Sequence, residues 1–179
     1  MRLFIEPAST DAAAAAVEGS RKLEIVLERQ EASQWCWAAI AVAAARAFGT
    51  GQITQAEVAA RLQAEDATPT RDQPRRLLDA VRIAGCDGHW TPGRPAAVRV
   101  RREIDAGRPF CMRLTWAGGQ SHFVMIVGYA AGGRELIIED PSGDPGLQAL
   151  EDFPGLYRGR TAVWRETYWL RAADPVSPG

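Results

Sequence analysis

The stretch Gln30-Glu-Ala-Ser-Gln-Trp-Cys36-Trp-Ala-Ala39 places a cysteine where a polar loop turns into an apolar helix. That helix is expected over Trp35 to Phe48, with Gly49-Thr-Gly51 stopping it. Trp37, Ile40, Ala41, Ala44 and Ala45 fall on one broad face, and the many alanines leave the other faces open to close approach. A helix of this kind belongs at the centre of a domain. Its first turn offers unpaired N–H groups and the positive end of the macrodipole, which favour a thiolate over a thiol. Gln30, six positions before Cys36, brings an amide donor suited to an oxyanion forming beside the sulfur.

Upstream, Leu23, Ile25 and Leu27 alternate with Lys22, Glu24, Val26 and Glu28, the period of a half-buried strand that would deliver Gln30. Arg2 to Ile5 reads as a short edge strand, and Ala12 to Ser20 as a flexible link or a marginal helix. Downstream, Thr54 and Glu57 form a capping box that opens a helix through about Gln63. Glu65 to Thr70 reads as a loop. Asp72 or Gln73 caps a helix that holds Pro74 in its first turn, continues over Arg75 to Ala84 and ends at Gly85. Cys86 to Pro95 reads as irregular, and Ala97 to Ala106 as an arginine-rich helix closed by Gly107.

Beyond that point the pattern changes to strands: Phe110 to Trp116, His122 to Ala130, Glu135 to Asp140 and Ala162 to Leu170. Gly132-Gly133 turns the second into the third as a hairpin. Leu147 to Tyr157 is expected to be a short helix with a return loop. Helices first and an antiparallel sheet second make the chain α+β, a helical subdomain packed against a sheet subdomain with a cleft between. The domain is expected over residues 22–173, after a partly flexible extension over 1–21 and before a disordered tail over 174–179.

A catalytic cysteine needs a base, and the chain has two histidines. His122 opens the apolar run Phe123-Val-Met-Ile-Val-Gly-Tyr129, directly after the loop Gly118-Gly-Gln-Ser121. There it can be held within reach of a thiol on another element, or it can simply close a turn by hydrogen bonding. His89 lies in a stretch rich in glycine and proline, with too few neighbouring ligands for a metal, and reads as solvated or capping. An imidazole acting as base needs its other nitrogen held. Asp140 ends the strand after the hairpin, so it and His122 lie at the same open end. Asp140 can alternatively cap the Asp-Pro-Ser-Gly turn. Glu139 would point to the opposite face. Cys111, between Phe110 and Met112, reads as a buried inert thiol, and Cys86 has no base near it in sequence.

These residues, Gln30, Cys36-Trp37, His122 and Asp140 in that order, resemble a papain-like cysteine protease. The segments Trp35-Cys-Trp-Ala-Ala39, Ser121-His-Phe-Val-Met-Ile-Val-Gly-Tyr129 and Glu139-Asp-Pro-Ser142 are especially similar to compact bacterial members. Those members include type III effector proteases and, more distantly, double-glycine leader peptidases. The likeness spans about Lys22 to Leu170. It implies a papain-like fold around a central nucleophile helix, with Cys36 as nucleophile, His122 as base, Asp140 as orienter and Gln30 at the oxyanion hole. Papain itself has asparagine where Asp140 stands. No long inhibitory propeptide precedes Gln30 and no transporter domain follows, so control by an activating or inhibiting protein partner is an open expectation.

Composition limits the alternatives. The 179 residues are 46% hydrophobic, enough for a real core. A net charge of −1, from 21 basic and 22 acidic residues, argues against nucleic-acid and membrane-surface roles. Three scattered cysteines make no disulfide framework, and the N-terminus lacks a signal-peptide core. The expected location is the cytoplasm, or outside the cell without a cleavable signal. The expected function is a cysteine endopeptidase acting on a specific protein partner, as an effector, toxin or processing enzyme, with no cofactor and no metal. An acyl-transferase or amidase would use the same four residues, whereas a non-catalytic peptide-binding module would not need them all. Trp35, Trp37, Trp90 and Trp116 are each candidates for the cleft or the core.

Overall fold

The computed structural model describes residues 19–66, 76–151 and 155–174. The expectations for Arg2 to Ile5, for most of Ala12 to Ser20, for the Asp72 to Pro74 helix start and for the tail beyond residue 174 lie outside these residues, while Arg76, expected inside that helix, is its extended N-cap. In chain order the elements are β1 (Arg21–Lys22), α1 (Cys36–Phe48), α2 (Gln55–Asp66), α3 (Leu77–Ile83), β2 (Cys86–Pro92) and α4 (Ala97–Asp105). Then follow β3 (Phe110–Trp116), β4 (Ser121–Ala130), β5 (Glu135–Glu139), β6 (Gly146–Ala149), β7 (Gly155–Tyr157) and β8 (Arg160–Ala172).

The architecture is the α+β arrangement expected, with, among the described residues, an eight-stranded antiparallel sheet in the order β2-β8-β3-β4-β5-β6, β1 joining at β4 and β7 at β8. Strand β4 shows why its sequence is apolar without interruption. Phe123, Met125 and Val127 face one core, shared with α1, α2 and α3, while Val124 and Ile126 face a second, shared with α4. Successive side chains alternate sides, so a strand covered on both faces shows no polar alternation.

Helix α1 is buried from Cys36 through Ala45, with Ala38, Ala41, Ala44 and Ala45 fully enclosed. Alanine on every side brings α2, α3 and the sheet close to the helix backbone. Gly49, with φ 66°, ends it in the left-handed conformation. The capping box of α2 forms as read, with Thr54 Oγ1 accepting the Glu57 N–H and Glu57 Oε2 accepting the Thr54 N–H.

Three local expectations are corrected. Cys86 to Pro92 is not irregular but pairs along β8. Gly88, which reads as a turn residue, sits where a Cβ would lie 2.6 Å from the Trp169 carbonyl, so glycine permits close strand approach. The described parts of Leu147 to Tyr157 are not helical: Leu147 to Ala149 hydrogen-bond along β5, and Gly155 to Tyr157 form a hairpin with β8. From Leu23 to Leu27 the burial alternates as expected, yet ladder pairing covers only Arg21 and Lys22, and an Ile25 N–H bond to Leu23 O turns the chain away.

Replacing Ala44 by Leu forces extra carbons into this enclosed helix, where overpacking costs about 1–3 kcal/mol. Urea unfolding followed by circular dichroism is expected to show a lower midpoint with an unchanged slope.

Candidate functional site

A cleft of about 550 Å³ runs between the start of α1 and the open end of the sheet, and Gln30, Cys36, Trp37, Trp116 and His122 line it. Cys36 is the first residue of α1, and the N-cap residue Trp35 makes no side-chain capping hydrogen bond. His122 is the second residue of β4 and is buried. Asp140 follows the last residue of β5, whose register sets Glu139 opposite Met125 and so returns the chain to the His122 end. The hairpin geometry expected from sequence therefore brings His122 and Asp140 together, on the side of the cleft facing Cys36.

His122 Nε2 lies 2.8 Å from Asp140 Oδ1, and the Cys36 side chain interacts with the same ring. Burial opposes protonation of the ring, but the bonds to Asp140 and Cys36 outweigh it and push its pKa up to about 9. Burial likewise opposes ionisation of Asp140, yet His122, the Tyr157 hydroxyl and the Ser142 N–H hold the carboxyl well below the usual carboxylate range. Asp140 also caps the turn: its Oδ1 accepts the Ser142 N–H and hydroxyl, each at 2.8 Å. Asp140 thus contacts the His122 ring and caps the turn at once. Glu139 points away and pairs with Lys22 at 3.1 Å.

Gln30 stands at the cleft, but Nε2 donates to the carbonyls of Ala32 (2.9 Å) and Ser33 (2.7 Å), while its Oε1 is buried without a hydrogen-bond partner. Donation to an oxyanion requires one of those amide hydrogens to be shared or released. The other cysteines are poor rivals. Burial raises the pKa of both Cys86 and Cys111, and that of Cys111 lies far above its ordinary value. His89 is exposed on β2. Among the tryptophans, Trp37 and Trp116 line the cleft, Trp35 packs in the core, and Trp90 is 53% exposed on β2.

Sequence reasoning missed several supports. The Tyr157 hydroxyl donates to Asp140 Oδ2 at 2.7 Å, and Arg158 Nε lies 2.8 Å from the same oxygen. Both sit at the β7–β8 turn, Tyr157 at the end of the segment read as a short helix with a return loop and Arg158 just beyond it. The Arg158 guanidinium lies close against Gly143, where a Cβ would overlap it. Gln55, buried at the start of α2, donates to Arg29 O (2.8 Å) and accepts the Glu31 N–H (3.1 Å), bracketing Gln30. On the other side the Gln30 N–H donates to Pro141 O at 2.8 Å. No local pattern marks a glutamine in a first helical turn as a clamp. Ser142 carried the one available signal, in the Asp-Pro-Ser-Gly turn.

A family model described as the papain-like cysteine protease AvrRpt2 matches residues 19–158. Among solved structures, the chain is similar to a double-glycine motif protease from an AMS/PCAT transporter, crystallised with the leader peptide. Identity is 16% and the TM-score 0.48, over 80% of this chain and 93% of that one. It is also similar to the Pseudomonas avirulence protein AvrPphB, at 10% identity and a TM-score of 0.29, over 63% of this chain and 66% of that one. A comparison with curated proteins finds no match.

Because the His122 pKa rises from 6.5 to about 9, the stability it contributes is complete below pH 6.5 and is lost as pH climbs through about 9. In Asp140→Asn, NMR titration of the His122 ring is expected to show its pKa fall by at least about one unit, since the carboxylate that favours the cation is gone.

Proposed function

The chain belongs to the papain-like cysteine protease family of AvrRpt2, and from that premise we propose that Cys36, His122 and Asp140 form its catalytic triad, cleaving peptide bonds in a protein partner. The observation that carries the assignment is the His122 ring bridging Cys36 on α1 and Asp140 after β5.

In this reading the thiol proton passes to His122 Nδ1, and Cys36 Sγ attacks the substrate carbonyl carbon to give a tetrahedral oxyanion. As the carbon–nitrogen bond breaks, the imidazolium gives its proton to the leaving amine, leaving a thioester on Cys36. Neutral His122 then takes a proton from water, whose oxygen attacks the thioester and frees the acid and the thiol. Asp140, bound through Oδ1, keeps the ring oriented and favours its charged form. The Cys36 N–H and the Gln30 amide supply the oxyanion donors, the latter by giving up its hold on Ala32 O or Ser33 O. No helix among the described residues is long and apolar enough to cross a membrane.

Cys36→Ala is expected to abolish both peptide hydrolysis and labelling by iodoacetamide at low reagent concentration. Rapid labelling persisting at Cys86 or Cys111 would show that the nucleophile lies elsewhere. Gln30→Ala is expected to lower kcat about a hundredfold with smaller change in KM, as for loss of one oxyanion donor. Mass analysis of products made with and without a competing amine separates hydrolysis from acyl transfer.

A further inference from the structure

The cleft has one charged wall. Arg113 and Arg160 line it, and among the described residues no aspartate or glutamate does. With the whole chain at a net charge of −1, this polarity is local.

The two arginines differ in what they can do. Arg113 is committed: its Nε and Nη2 bond both oxygens of Glu166, at 2.8 and 2.7 Å. Arg160 opens β8 from the exposed side of the cleft and pairs with no carboxylate among the described residues. Its guanidinium stands 4.8 Å from the centre of the Trp116 ring, and that ring stacks on His122 at 5.8 Å. A guanidinium held over an indole face by cation–π attraction is restrained, and its N–H donors can take a carboxylate through two parallel bonds. Because the group is restrained beforehand, less side-chain freedom is lost on binding. The imidazole, the indole and the guanidinium thus form one surface that starts at the reacting centre.

We infer that the cleft selects peptides with an aspartate or glutamate close to the scissile bond, and that Arg160 is the residue that reads it. The inference rests on the protease reading and names the substrate class for that site. A basic side chain at the same position would face a fixed like charge, so the same residue also excludes wrong sequences.

Digestion of a proteome-derived peptide library by the full chain tests this. Wild type is expected to show aspartate and glutamate enriched at one position within a few residues of the cut. Arg160→Gln should erase that enrichment, and Arg160→Glu should replace it with lysine and arginine, a gain that mere loss of packing cannot produce. For matched synthetic peptides, kcat/KM for glutamate over glutamine should fall from about tenfold to near one in Arg160→Gln. A library cut without acidic enrichment, or enrichment that survives in Arg160→Glu, overturns the inference while leaving the protease reading intact. A library left uncut by protein whose Cys36 resists labelling overturns the protease reading and the inference with it.

Discussion

Asp140 is a carboxylate almost wholly withdrawn from water, and the open end of the sheet is built around supplying what water no longer does. One oxygen takes His122 and the Ser142 donors, and the other takes Tyr157 and Arg158. A buried charge is tolerated only when paired and hydrogen-bonded, and removing a partner leaves an uncompensated ion. The five donors come from β4, from the turn after β5 and from the β7–β8 turn. The carboxylate therefore ties three separate pieces of chain together. The same crowding leaves Asp140 one way to face His122.

The other half of the site is held by backbone rather than by charge. Gln55 brackets Gln30 from α2, and Pro141 O receives the Gln30 N–H from the opposite side. Pro141 directly follows Asp140, so the Gln30 loop and the carboxylate turn share one hydrogen bond. The proposed oxyanion donor and the proposed orienting residue cannot shift independently.

Legibility in the sequence followed the range of the interactions. Helix α1, the capping box of α2 and the β4–β5 hairpin rest on contacts within a few residues, and their patterns survive in the linear chain. The meeting of His122 with Asp140 was legible for the same reason, since a hairpin fixes which ends coincide. Strand β2 was hidden because Gly88 and Pro92 resemble turn residues until β8 lies beside them. The β6 and β7 strands borrow their conformation from β5 and β8 and carry little pattern of their own. Tyr157, Arg158 and Gln55 act across long sequence separations, and no periodicity encodes a partner that distant.

The alanine-packed helix has a consequence for how such a protein can diversify. With every side of α1 from Cys36 to Ala45 enclosed, almost any enlargement there strains the domain. The opposing wall is different: Arg160 and the Gly119 to Ser121 turn are exposed and carry little of the core. The helix is a fixed anvil and the sheet edge a replaceable die. Relatives with different substrate preferences would be expected to vary on the sheet side of the cleft and to keep the helix side unchanged.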